Sequence, residues 1–185
     1  MMMAIRSGKL DSKDFSENKN HRGVQMIQAV TLMIIGLLTC VDQLIKVAVL
    51  KHLKPVGSKV LISGFFRLRY VENTGAIFGS LESKTIILII FTSIIVLVSL
   101  FLILSKKIKP GFMYACLVLI VSGGIGNLID RIFRGFVVDY LEPLFVDFAI
   151  FNFADCLVTV GAFSMMGYLI YDMVKDSRKA KNGKH

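Results

Sequence analysis

Three short motifs in the second half of the chain hold polar groups among residues otherwise suited to lipid: G-G-I-G-N-L-I-D-R from Gly123, G-F-V-V-D-Y from Gly135 and F-N-F-A-D from Phe151. Ionisable side chains at membrane depth are costly and mark function. Asn127, Asp130 and Arg131 fall at i, i+3 and i+4, on one helical face, whereas Asp139 and Asp155 are too far apart in sequence for a single helix interrupted by Pro143. Two separate elements must therefore bring those carboxylates together. Two carboxylates sharing a low-dielectric site cannot both ionise easily, so they hold one proton between them. The ionised member takes a proton from water while the protonated member donates to a carbonyl, which is the chemistry of aspartic peptide hydrolysis. Two plainer readings stand beside this one. Asp155 is placed to cap a helix, although Asn152 is better placed, and Asp139 after Val137-Val138 is also read as a turn aspartate.

The elements that must position these groups are membrane spans. The chain has 185 residues, 55% of them apolar, and a mean hydropathy of +0.68, well above the globular norm. Four stretches are long and apolar enough to cross a bilayer: Val24 to Val41, Thr85 to Leu104, Phe112 to Ile129 and Phe153 to Ile170. Asp155 then lies about 3 to 5 Å into the fourth span at about 1.5 Å per residue, within reach of water. From Val60 to Ile62 and Phe65 to Val71 the apolar period becomes two, a strand signal, and Glu72 to Gly79 supplies turn and small residues. The expected fold is an all-α polytopic membrane protein of four transmembrane helices with a small extracytoplasmic β-ribbon and an interfacial segment between Asp139 and Asp155. The Glu72–Gly79 loop is expected to act as a lid over the acids. Residues 1–23 read as a disordered cytoplasmic tail, 24–174 as the membrane domain and 175–185 as a basic cytoplasmic tail. Leu37-Leu38-Thr39-Cys40 approaches a lipoprotein cleavage box, but Thr39 is too large for such a site and no cleavage is expected there.

The net charge of +9 does not indicate nucleic acid, because Lys and Arg are spread over both tails and the loops without a binding motif. Topology accounts for them better. Five basic residues precede the first span, Lys106, Lys107 and Lys109 fill the tight loop between spans two and three, and five follow the last span, which places both termini in the cytoplasm. The acids Asp42, Glu72, Glu82, Asp130, Asp139, Glu142, Asp147 and Asp155 fall on the opposite side or at its interface. Cys40, Cys116 and Cys156 read as small packing residues, and His21, His52 and His185 lie away from the acids, so no metal ligand set is evident. Asp42 and Lys46 form an i, i+4 pair at the end of the first span. Either it is a helix-end salt bridge, or it holds the acidic site or a lipid headgroup.

Taken together, D-Q-L-I-K at Asp42–Lys46, E-N-T-G-A-I-F-G at Glu72–Gly79, G-N-L-I-D-R-I-F-R-G-F-V-V-D-Y at Gly126–Tyr140 and F-N-F-A-D at Phe151–Asp155 resemble bacterial lipoprotein signal peptidase, signal peptidase II. The resemblance covers about residues 24–174 in motif order, spacing and span layout. It implies an aspartic endopeptidase of the bacterial cytoplasmic membrane, working without a cofactor on the extracytoplasmic side. Its substrates would be prolipoproteins whose cysteine carries a diacylglyceryl group, cut immediately before that cysteine. By the same resemblance Asp139 and Asp155 are the catalytic pair, and Asn127, Arg131 and Asn152 orient substrate and acids. Asp42 and Lys46 support the first-span end, and Asn73 and Gly75 belong to the loop over the site. The expected partners are these substrates and membrane lipids, with no nucleic acid, and the expected state is a monomer. A transporter subunit using Asp130, Asp139 and Asp155 as a proton or cation relay has less support, since acids at one interface with none at the midplane of spans two and three make no continuous path. Inverted repeats are also not visible.

Overall fold

The structure, a computed structural model, describes residues 4–75, 85–105, 107–108 and 110–182. The chain forms two compact units, one ending at Ile34 and the other running from Ile35. Every tertiary contact described below lies within the second.

Helix α1 (Ala4–Ala48) continues as a π-helical turn, Val49–Leu53. It is followed by β1 (Ser58–Ile62), β2 (Phe66–Asn73), α2 (Thr85–Leu104), α3 (Phe112–Phe133), β3 (Val137–Pro143) and α4 (Phe153–Asn182). The stretches Gly23–Leu53, Thr85–Leu104, Phe112–Phe133 and Phe153–Lys179 are each long and apolar enough to cross a membrane. Lipid offers no hydrogen bonds, so such segments satisfy their backbones internally as helices. The helical segment α1 begins at Ala4, inside the region whose composition reads as a tail, and it does not stop at Val41. It carries Asp42 and Lys46 onward as fully buried helical residues, because each finds its partners within the fold. Along α2, Ile86, Ile90, Phe91, Leu97 and Phe101 stay exposed, the surface expected of a lipid-facing helix.

The ribbon expected from period-two patterning is present as β1 and β2, but it is part of a larger sheet. The order is β1-β2-β3, both pairings antiparallel. In the second pairing Val71 opposes Asp139 and Asn73 opposes Val137, with a register irregularity between Leu68 and Val71. One of the two acids is thus carried on a strand. Sequence patterning does not reveal β3, since Val137–Pro143 is only seven residues long, is buried at most positions and lacks clean alternation. The segment expected to lie at the interface, residues 144–150, has no regular structure, and Phe151 then bridges to Leu141. Of the expected lid, Ala76–Gly79 lies outside the described residues.

Close packing of α3 on its neighbours depends on glycines, Gly123 and Gly126 among them. A Cβ on Gly123 would collide with the Ala154 carbonyl and come within 2.8 Å of Val158 Cγ2, and one on Gly126 would lie 2.6 Å from Asp42 Oδ2. Small residues at such crossings let helix backbones approach in a membrane. One apolar cluster, including Val96, Ile103, Leu117 and Val121, fills the helical region, and a second, Val49, Leu53, Val138 and Tyr140, joins the end of α1 to β3.

Candidate active site

The first turn of α4 is a capping box that also builds the site. Asn152 Oδ1 accepts the Asp155 amide (2.9 Å), and Asp155 Oδ2 accepts the Asn152 amide (3.1 Å). The other free amides of this turn are satisfied too. Phe153 N–H donates to the Tyr140 hydroxyl (3.2 Å), Ala154 N–H to Asp42 Oδ1 (3.0 Å) and Cys156 N–H to the Asn152 carbonyl (3.2 Å). Asn152 is therefore the cap, as its position suggests, while Asp155 closes the box with one oxygen and turns the other to Asn127 Nδ2 at 2.7 Å.

Asp139 approaches from the sheet. Its Oδ1 accepts from Asn152 Nδ2 (2.6 Å) and its Oδ2 from Asn73 Nδ2 (2.8 Å), while Asn73 Oδ1 accepts the Gly75 amide (2.9 Å). Asn152 thus contacts both acids, one through its side chain and the other through its backbone and side chain. Burial, with the Asp155 charge adding to it, pushes the Asp139 carboxyl up to about 7, against the opposing pull of Asn73, Asn152 and Lys46. At neutral pH this acid is poised between its two protonation states.

Behind the acids lies a buried ionic cluster. Lys46 Nζ contacts Asp42 Oδ2 (2.9 Å), Asp130 Oδ2 (3.0 Å) and Asn127 Oδ1 (2.9 Å), so its three protons meet three acceptors. Asn127 Oδ1 also accepts from Asn152 Nδ2 at 3.2 Å, which connects the cluster to both acids. The Asp42–Lys46 pair is therefore far more than an exposed helix-end bridge. Three contributors were not evident from sequence: Gln43, which donates to Asp42, Gly126 and Asp130; Arg134, which pairs with Asp130; and the Tyr140 hydroxyl. Spacing offers a signal for Arg134 alone, four residues after Asp130 on one helical face.

A cavity of about 470 Å³ opens in front of the pair, lined by Asn73, Arg131, Asp139 and Asp155 and walled by apolar side chains including Phe148 and Val158. Arg131 Nε is buried without a hydrogen-bond partner. Cys156 also lines this cavity, since the first turn of α4 aims it there beside Asp155. It is thus more than the packing residue expected, whereas Cys116 is buried and Cys40 exposed. Among the described residues no group of three or more His, Cys, Asp or Glu side chains is arranged to hold a metal ion. The chemistry available is that of two carboxylates, one poised near neutrality, beside a cavity that admits water and an arginine whose Nε has no hydrogen-bond partner.

Similar proteins share this plan. A solved bacterial membrane enzyme structure, by the in meso method at 2.3 Å resolution, superposes with a TM-score of 0.71 at 28% identity, covering 78% of this chain and 90% of that one. The lipoprotein signal peptidase of Caldanaerobacter subterraneus is 38% identical over 141 residues, 76% of this chain and 95% of the relative. That of Enterococcus faecalis is 37% identical over 155 residues, 83% of this chain and 95% of the relative. The family model for signal peptidase (SPase) II matches residues 34–171, a span that takes in Asp42, Lys46, the sheet, both acids and the asparagines between them. With its motifs and its acids on β3 and α4 inside that match, which also takes in all of the second and third apolar helices and most of the first and fourth, the chain belongs to the signal peptidase II family.

Proposed function

We propose that this protein is a membrane-embedded aspartic endopeptidase that removes signal peptides from prolipoproteins, with Asp139 and Asp155 as its catalytic pair. The observation that carries the reading is the placement of two carboxylates, from a strand and a helix, around one asparagine at the rim of a largely apolar cavity. With one proton shared, the ionised carboxylate takes a proton from a water molecule whose oxygen attacks the scissile carbonyl carbon, and the protonated carboxylate gives its proton to the carbonyl oxygen. The tetrahedral diol then collapses: one hydroxyl gives its proton to the carboxylate left ionised, the C–N bond breaks, and the leaving amine takes the proton that the other carboxylate had drawn from water, which restores the pair with one shared proton. Asn73 and Asn152 aim Asp139, and Asn127 aims Asp155. Gly75 holds Asn73 through its amide, Asp42 and Lys46 fix Asn127 and the start of α4, and Arg131 offers its free Nε–H to a substrate carbonyl.

The apolar walls suit a substrate whose cysteine carries a diacylglyceryl group, cut immediately before that cysteine, the lipid keeping the peptide at the bilayer surface. Basic residues in both tails and in the Lys106–Lys109 loop support cytoplasmic termini, which puts the pair on the extracytoplasmic side. One chain carries both carboxylates and the cavity, so a monomer suffices. The expected outcome of the test is that purified protein in detergent cleaves a lipid-modified prolipoprotein, and that Asp139→Asn and Asp155→Asn each abolish cleavage while membrane insertion stays near wild type. Near-wild-type turnover by either variant would sink the assignment.

A further inference from the structure

Asp130 forms a clamp whose geometry reaches the strand that carries Asp139. Its carboxylate is fully buried, and Oδ2 accepts both Lys46 Nζ and the Val138 amide (3.0 Å), the residue immediately before Asp139. The other oxygen, Oδ1, is held by Arg134 Nη1 and by Gln43 Nε2 (3.2 Å), and Arg134 Nη1 also donates to Gln43 Oε1 (3.0 Å). Arg134 ends α3, its own amide donating to the Asp130 carbonyl at 2.8 Å, and Gly135 follows at φ +80°, the left-handed turn that starts the chain back toward β3. One side chain and one backbone amide of Arg134 thus grip Asp130 from the near side of this corner, and Asp130 grips Val138 on the far side.

Charge balance makes the same residue necessary. Asp42 and Asp130 bring two negative charges and Lys46 one positive; Arg134, less than a quarter exposed at 23%, brings the second and neutralises the cluster. Uncompensated buried charge is strongly unfavourable, so without Arg134 the carboxylate of Asp130 is drawn toward water at the corner and away from the Val138 amide. Gln43 fills the remaining space and shares its amide protons among Asp42, Gly126 and Asp130, which ties the corner to α1.

The geometry points to Arg134 and Gln43 as positioning residues for the catalytic step: they hold Asp130 so that its other oxygen sets the backbone of Val138 and hence the aim of Asp139. This rests on the reading of Asp139 as one of the catalytic pair. Neither side chain lines the substrate cavity, so their loss acts on turnover and not on substrate binding.

The test uses full-length protein and a lipid-modified prolipoprotein in detergent. The Asp139→Asn control comes first, since an active Asp139→Asn enzyme would remove the catalytic reading itself, separately from the clamp. Given an inactive control, Arg134→Gln and Gln43→Leu each lower kcat roughly tenfold, the scale of a sub-ångström misplacement of a catalytic group. KM stays within about twofold, because the cavity is untouched. Arg134→Lys, which keeps the charge, recovers most of the rate, and the double variant Gln43→Leu/Arg134→Gln falls well short of the product of the single effects, as expected for two residues acting through one carboxylate. Thermal unfolding of each variant separates this from simple instability, since kcat is measured well below each variant's own midpoint, where the enzyme is folded. The inference is overturned if kcat is unchanged in both single variants, if KM rises instead of kcat falling, or if the two effects multiply.

Discussion

Replacing Lys46 with methionine removes a buried ammonium while keeping the length of the side chain. In the wild-type protein its three protons go to Asp42 at 2.9 Å, Asp130 at 3.0 Å and Asn127 at 2.9 Å, with no exposure on the lysine or either carboxylate. With Arg134 the cluster sums to zero: two carboxylates against two cations. Lys46→Met leaves it at minus one, and breaking a buried pair from one side costs about 3–5 kcal/mol. That is a large share of a total stability of about 5–15 kcal/mol, yet it leaves folded protein to measure. At about 2–4 °C per kcal/mol for a chain of this size, the midpoint falls by about 6–20 °C. Thiol accessibility of Cys116, 2% exposed in the folded protein, reports the transition in a background where Cys40 and Cys156 are serine. The decisive comparison adds Asp42→Asn. In the Lys46→Met background this change restores neutrality and its carbonyl oxygen still accepts the Ala154 amide, so it raises the midpoint, whereas alone it lowers it. A Lys46→Met midpoint within about 2 °C of wild type, or an Asp42→Asn change that lowers the midpoint in both backgrounds, would refute the charge-balance argument.

The poised Asp139 carboxyl predicts that kcat/KM declines as pH rises above about 7, when the proton shared by the pair is lost. Asn73 donates to the ionised form, so Asn73→Leu disfavours ionisation and moves that descending limb to higher pH; a limb that stays in place or moves down contradicts the assignment. Cys156 lines the cavity beside Asp155, so quantitative labelling with a bulky maleimide slows cleavage and Cys156→Ser confers resistance. An unchanged rate in enzyme shown by mass to be labelled at Cys156 would place that side chain outside the substrate path.

Local chemistry makes much of this protein legible in its sequence. Long apolar runs broken by basic clusters specify membrane helices because lipid satisfies no backbone group, and period two over Val60–Val71 specifies strands because side chains alternate across a pleated sheet. The acids themselves stand out for the opposite reason: they are expensive where they lie. Asn152 as a helix cap is similarly local, a matter of residues within one turn. What no local rule supplies is which distant partner each group finds. The antiparallel pairing of β3 with β2 places Asn73 on Asp139 across 66 positions, and α1 meets α3 so that Lys46 reaches Asn127 across 81. The close approach behind that meeting depends on Gly126, against which Asp42 packs with no room for a Cβ. Sequence identified Asp42 and Lys46 as a pair but left a surface bridge and a site support as equal readings, since burial is a property of the whole fold. Only tertiary packing removed water from that pair and supplied Asp130, Gln43 and Arg134 around it, converting a weak helix-end bridge into the ionic base on which both carboxylates rest.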